Sequence, residues 1–215
     1  MKFEKLLRDN DLDYCIVGNS PCEIGHKNGK RIDDHKLIIR FNDFSLEKKF
    51  VKDYGKKTNI WIRGTNDFIV YTMNDKKKML ESLDLVIVRA QAQRNNKFVK
   101  YAEKNNLNYE FFRRKHEIKF TNTLGFCPST GLLTLYILNK ICGPIDRDRV
   151  FGFSFCKENR DKDPDGGQVH YYNSGDLWNP YKNRTERIKS TFLISKHNWL
   201  KEEEYFENVL MKVAM

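Results

Sequence analysis

The sequence predicts an α/β fold built on a single, mostly parallel sheet. Three observations carry that expectation. Short apolar runs alternate with helix-like patterns along most of the 215 residues, which is how helices come to layer over a parallel sheet. The first run, ending in "CIV", stops abruptly at Gly18-Asn19-Ser20, as a core strand does when it opens into a turn. The segment "PSTGLLTLYILNKIC" places Leu132, Leu133, Leu135, Tyr136, Leu138 and Ile141 over nearly every face of a helix, so that helix is expected to be buried centrally.

Strands are expected at 13–18, 36–41, 58–63, 84–89 and 148–153. Lysine-rich helices with a solvated face are expected from Lys76 to Ser82 and from Asn95 to Lys104. Pro128 and Ser129 mark the start of the buried helix. Residues 156–167, "CKENRDKDPDGG", are polar and rich in breakers, which predicts a surface loop. A last helix is expected from His197, with Trp199, Phe206, Val209, Leu210 and Val213 as its apolar stripe. There is no internal repeat and no low-complexity linker, so residues 1–215 are read as one domain, long enough for a real core.

Composition narrows the function classes. Hydrophobic residues make up 40% and aromatics 13%, which excludes a disordered chain. Lys+Arg 39 against Asp+Glu 29 gives a net charge of +10. That balance suits nucleotides, nucleic acid, acidic glycans or an anionic membrane, and equally a plain basic surface. No stretch approaches the roughly 18 apolar residues of a membrane span, and the N-terminal segment lacks the apolar core of a signal peptide. A cytoplasmic location is therefore expected. The five cysteines include no C-x-x-C pair, which argues against a zinc site or a disulfide scaffold.

Polar residues punctuate the apolar runs at chemically useful places. Asn19 and Ser20 follow the first strand, and Asn42 ends the second. Ser129, Thr130 and Gly131 open the buried helix, while Gly152, Phe153 and Ser154 end a later strand. In an open α/β sheet, ligands bind outside the carboxyl ends of the strands. A helix N-terminus adds free N–H groups and a positive dipole. Amides and hydroxyls suit a single phosphate better than a pyrophosphate, which recruits Lys and Mg²⁺ or a glycine-rich cradle. Neither G-x-x-x-x-G-K-[ST] nor G-x-G-x-x-G follows the first strand. Asp161, Asp163 and Asp165 form D-x-D spacings but sit in a breaker-rich loop, so solvation is the expected reading and no metal is assigned. His170 opens "HYY" and His197 opens "HNWLKE". A histidine beside a helix start is kept neutral by the dipole and suits a general base, although each, taken alone, reads as a structural or surface residue rather than a catalytic one.

Taken together, these segments resemble the sialyltransferases of glycosyltransferase family 29, which carry four motifs in fixed order. The large motif resembles "CIVGNSPCEIGHKNGKRIDDHKLIIRFND", and the small motif "PSTGLLTLYILNKICGPIDRDRVFGFSF". The third resembles "HYY" at His170 to Tyr172, and the very small motif, H-x₄-E, matches His197 to Glu202. The resemblance implies a GT-A variant with one Rossmann-like sheet, inversion at the anomeric centre and no metal cofactor. It implies that Asn19, Ser20 and Asn42 bind the phosphate and ribose of a CMP-sugar. Ser129, Thr130 and Gly131 would meet the cytidine, with Gly152, Phe153 and Ser154 lining the nucleoside. His197 would be the base that deprotonates the acceptor, His170 would assist departure of CMP, and Glu202 would support the His197 segment. Cys15 and Cys142 fall where animal members carry a disulfide, so the two are expected to be neighbours. The chain departs from the family pattern at Cys127, where an aromatic residue is common, and at Asn173, where an acidic one is usual.

The implied donor is CMP-sialic acid or CMP-Kdo, and the implied acceptor a glycan or glycolipid. The basic runs Lys76–Lys78 and Arg113–Lys115 suit either an anionic inner-membrane face or plain solvation. Nucleic acid is not an expected partner. A nucleotide- or nucleic-acid-binding module without activity remains the contrasting reading, as does a family member that binds CMP without catalysis.

Overall fold

The computed structural model describes residues 1–64, 77–89, 96–157 and 198–211. Helix α1 (Lys2–Asp9) precedes β1 (Tyr14–Val17). The chain then alternates through α2 (Gly29–Asp33), β2 (Leu37–Phe41), α3 (Lys48–Tyr54), β3 (Ile60–Arg63), α4 (Lys77–Leu80), β4 (Leu85–Val88), α5 (Asn96–Lys104) and β5 (Tyr109–Phe111). Two helices follow, α6 (Arg114–Leu124) and α7 (Thr130–Cys142). After them come β6 (Val150–Phe151) and α8 (Trp199–Tyr205), which runs into a π turn, Phe206–Leu210.

Every strand pairing is parallel, and the sheet order is β5-β4-β3-β2-β1-β6. The chain therefore steps in one direction from β1 to β5 and then returns to place β6 on the other side of β1. Side chains alternate across each strand. Cys15, Val17, Ile38, Trp61, Val86 and Val88 pack with Ile32, Tyr54 and Phe98 of α2, α3 and α5 on one face. Tyr14, Ile16, Ile39, Ile60, Ile62 and Ile87 pack with α1, α6, α7 and the π turn on the other. The strands β1 to β4 are buried at every position, as strands covered on both sides must be. Helix α7 is buried at Thr130 and from Leu132 to Leu138, as its all-round apolar pattern predicts.

Three expectations change. The strand expected at 148–153 contracts to two residues, because residues 147–149 form a 3₁₀ turn and Gly152 takes φ +67°. In the stripe expected on the last helix, Phe206 and Leu210 are buried, but Val209 is 51% exposed. There the backbone widens, with the Met211 N–H bonding the Phe206 carbonyl five residues back. Val213, the 158–167 part of the expected loop, and the three aspartates within it lie outside the described residues.

The expected Cys15–Cys142 neighbourhood is not formed, and both thiols are free. Cys15 faces the α2 side, where its thiol meets the Ile32 carbonyl at 3.7 Å. Cys142 packs on the opposite face and bonds Tyr14. With a side-chain period of two, a one-residue difference in register moves a side chain to the other face. Burial pushes the Cys15 thiol up to about 12. Cys15 is therefore expected to resist alkylation in the folded protein at neutral pH and to react once unfolded, as read by mass spectrometry. A thermal midpoint lowered by reductant would contradict the free-thiol assignment.

Candidate functional site

The return of β6 to the side of β1 creates a switch point, where adjacent strands send their following loops to opposite faces. The two loops touch there through backbone. The Gly18 N–H bonds the Phe151 carbonyl at 2.8 Å, and the Ser20 N–H bonds the Gly152 carbonyl at 3.0 Å. A Cβ on Gly152 would lie 2.6 Å from the Gly18 oxygen, and φ +67° disfavours any side chain there. The hydroxyls of Ser20 and Ser154 lie 2.6 Å apart. Two side chains brace this crossing from the α2–α3 face. Glu23 accepts from the Gly152 N–H at 3.0 Å, and Tyr54 donates its hydroxyl to the Ser20 carbonyl at 2.6 Å.

Asn19 and Asn42 play different parts. The Asn19 amide nitrogen donates to the carbonyls of Phe41 and Asp43, at 3.1 and 2.9 Å. Two acceptors fix that orientation, so Asn19 braces the β1 loop against the β2 loop. Its Oδ1 is buried without a partner among the described residues, and it offers an acceptor rather than a donor. Asn42 has φ +46° and is exposed. Its Oδ1 accepts from the Gly64 N–H at 2.7 Å, which leaves its NH₂ uncommitted among the described residues. Of the two asparagines expected at the phosphate and ribose, Asn42 is thus the one whose amide donor is uncommitted among the described residues.

Helix α7 completes the crevice. A Cβ on Gly64 would lie 3.1 Å from both the Asn42 Oδ1 and the Thr130 Oγ1, so the ends of β2, β3 and the α7 start meet there. A Cβ on Gly131 would sit 2.7 Å from the Phe153 ring, so only glycine lets that ring lie against the first turn. Phe153 also meets Gly18 and stands edge-on to Phe41, with centroids 5.8 Å apart. Asn19, Ser20, Asn42, Thr130, Gly131, Gly152, Phe153 and Ser154 are thus brought together at the carboxyl edge.

Ser129 is committed elsewhere. Its side chain caps α7 by accepting from the Leu132 N–H at 3.1 Å. Its own N–H donates to Glu202 Oε1 at 2.8 Å, and its hydroxyl donates to Glu202 Oε2 at 2.6 Å. Glu202 is 0% exposed, a carboxylate buried at the positive end of a 13-residue helix. Among the described residues, the N–H groups of Thr130 and Gly131 are the first-turn donors without a partner. Glu202 sits on α8, whose cap is Asn198, accepting from the Lys201 N–H at 3.1 Å. His170 and His197 lie outside the described residues.

Sequence reasoning missed a second clamp. Arg89, directly after β4, is buried. Its Nη1 donates to the Pro128 carbonyl at 2.9 Å, its Nη2 meets the Cys127 sulfur at 3.7 Å, and its Nε lies 3.7 Å from buried Glu117 of α6. Arg63, at the end of β3, is fully buried, pairs with Asp43 at 3.0 Å and lies over Trp61. The signal was available: "LIIRF", "IWIR" and "LVIVR" each carry an arginine at or next to the end of an apolar run, and a buried cation needs a partner. A charged cleft lined by Lys30, Arg31, Asp34, His35 and Asp148 lies at the opposite, amino edge of the sheet. Its charges pair internally, Lys30 with Asp34 and Arg31 with Asp148, so it is not the candidate site.

Replacing Glu202 by Gln should test the link between α8 and α7. One charge-assisted acceptor becomes an amide facing an N–H or O–H donor, a loss of roughly 1–3 kcal/mol. A drop of several degrees in the thermal midpoint is expected, and an unchanged midpoint would mean that the buried carboxylate contributes nothing.

The comparisons with known proteins agree with this fold. No curated protein matches the sequence significantly. Among solved structures, the sialyltransferase CstII from Campylobacter jejuni, in complex with the substrate analogue cytidine-5'-monophosphate, is similar with a TM-score of 0.52 at 15% identity. That match covers 92% of this chain and 77% of the other. A mammalian sialyltransferase in complex with Gal-beta-1-3GalNAc-ortho-nitrophenol is similar with a TM-score of 0.51 at 18% identity, over 88% of this chain. The chain spans 62% of the length of that mammalian protein. The profile of glycosyltransferase family 29 (sialyltransferase) matches residues 3–209, nearly the whole sequence, and the chain belongs to that family.

Proposed function

We propose that this protein is a metal-independent, inverting transferase of the GT-A variant class that moves sialic acid from CMP-sialic acid to a glycan hydroxyl. The observation that carries this reading is the convergence of three unlike groups on one edge: the Asn42 amide and the N–H groups of Thr130 and Gly131, uncommitted among the described residues, and the Phe153 ring. A helix N-terminus and a neutral amide suit one phosphate. An aromatic ring packed against glycine supplies an apolar wall for a nucleoside. The cytidine monophosphate bound by the Campylobacter relative has both chemistries, and family membership makes a CMP-sugar the natural donor for this chain.

In the proposed reaction the bond from the anomeric carbon to the CMP phosphate breaks, and negative charge builds on the phosphate oxygens. Donors already in place stabilise that charge with little reorganisation; one such donor is worth on the order of 3 kcal/mol in comparable sites. His197 directly precedes Asn198, the α8 cap, and acts as base toward the acceptor hydroxyl. His170 assists departure of the phosphate. Ser20 and Ser154 shape the loops beneath the nucleotide, and Glu202 holds α8 against the start of α7. The protein works in the cytoplasm without a metal cofactor.

The test is release of CMP from CMP-sialic acid in EDTA, with and without candidate glycan acceptors, and CMP-Kdo in parallel. Acceptor-dependent release from CMP-sialic acid is expected. Release from CMP-Kdo alone would reassign the donor, and release from neither would remove the proposal. His197→Ala should abolish transfer while CMP binding persists; retained transfer would rule out this base. Asn42→Asp keeps an oxygen for the Gly64 N–H but replaces the free donor by a negative oxygen. The CMP Kd should rise by about tenfold or more, equivalent to at least ~1.4 kcal/mol, as measured by calorimetry.

A further inference from the structure

Helix α6 breaks a local rule. Arg113, Arg114 and Lys115 stand at its N-terminal end, where the helix dipole is positive and favours carboxylates. The one acidic residue of its first turn, Glu117, points inward to Arg89 and is buried. Phe120 is buried as well, stacked on Tyr136 with centroids 4.1 Å apart. The outer face carries Arg113, Arg114, Lys115 and Lys119, all exposed. None of these four cations makes an ion pair with a described residue. They are close enough together that, after burial, the charges of Lys115, Arg113 and Lys119 are what lower the His116 pKa. Amid them Ile118 is 49% exposed.

We propose that this face of α6 docks on an anionic lipid bilayer and turns the carboxyl edge of the sheet toward it. Lipid phosphates and carboxylates meet the unpaired cations and the positive helix end, while Ile118 enters the headgroup layer. The face is the convex outside of a helix, and its apolar residue is aliphatic. A glycan is gripped instead in a concave site with fixed polar contacts. The orientation follows from two bonds. The Phe112 N–H donates to the Val88 carbonyl at 3.0 Å, and Glu117 pairs with Arg89 just beyond β4. The first turn of α6 therefore lies on the same edge as the candidate site, so the favoured acceptor is lipid-linked. This last step rests on the proposed reaction; the docking itself requires no donor.

The test is cosedimentation with vesicles of phosphatidylcholine alone and of phosphatidylcholine mixed with phosphatidylserine. Binding is expected to the mixed vesicles only and to weaken with salt. Near such a surface one Lys or Arg is worth roughly fivefold in partitioning. Arg114→Glu combined with Lys119→Glu should therefore lower binding at least tenfold while preserving the thermal midpoint and CMP release with a soluble acceptor. Failure of the unaltered protein to bind mixed vesicles, or equal binding by the variant, would overturn the proposal. So would a variant whose activity on a soluble acidic oligosaccharide falls in parallel, since the face would then be reading glycan. Vesicle binding of the expected kind in a protein that releases no CMP would remove the proposed reaction and sustain the docking.

Discussion

Everything at the candidate site depends on the backbone contact between Gly18 and Gly152. The sheet places β6 beside β1, and both strands end at the same level, so their loops must separate at once. They begin in contact, with the Gly152 carbonyl accepting from Ser20 and the Phe151 carbonyl accepting from Gly18. Side chains at either glycine would drive the loops apart. The closeness of this contact brings Phe153 over Gly18 and against Gly131, so the wall of the crevice is set by the absence of two Cβ atoms. Glu23 and Tyr54 reinforce the contact from one face of the sheet. Asn19 ties it to β2.

The same economy appears in the polar groups. Asn19 and Arg89 satisfy carbonyls at strand and loop ends, and Ser129 caps the first turn of α7; a buried backbone group left unpaired would be costly. Once these are spent, the donors at the edge left uncommitted among the described residues are the Asn42 amide and the first N–H groups of α7. Holding them in place is the work of a much larger set of residues. The Arg89–Glu117 pair belongs to that set. A buried ion pair is poor evidence for stability as such, but this one connects β4, α6 and the residues leading into α7, and so fixes where the helix begins.

The sequence made the central architecture legible and left the periphery obscure, for identifiable reasons. Strands β1 to β4 are covered on both faces, so each is an unbroken apolar run, and helix α7 betrays itself by being apolar all round. Strand β5, "YEF", is half-buried at the sheet edge and carries a glutamate, so it gave no signal. The cysteine expectation came from the resemblance and failed by one residue, because neighbouring positions on a strand face opposite sides of the sheet. Tyr14, not Cys15, faces Cys142. The site residues could be grouped because glycine, asparagine and serine interrupt apolar runs at strand ends. Their roles could not be divided, since composition does not say whether an asparagine faces a ligand or its own backbone. His170 and His197, the residues to which the resemblance gives the chemistry, lie outside the described residues.

The spacing of the last motif acquires a physical meaning from Glu202. Asn198 caps α8, and the Glu202 N–H bonds the Asn198 carbonyl at 2.8 Å, so the glutamate lies one turn into the helix. Its carboxylate is buried against Ser129, at the start of α7. A glutamate one residue earlier or later would point about 100° around the helix and would lose both bonds. The five-residue separation from His197 to Glu202 is thus the distance from the residue before a helix cap to the first buried position of that helix. Ser129 and Glu202 are 73 residues apart in sequence, and each is useless for this purpose without the other. A buried carboxylate whose best compensation is another motif's helix terminus couples the folding of the two segments. Such coupling lets a site assemble from distant parts of a short chain.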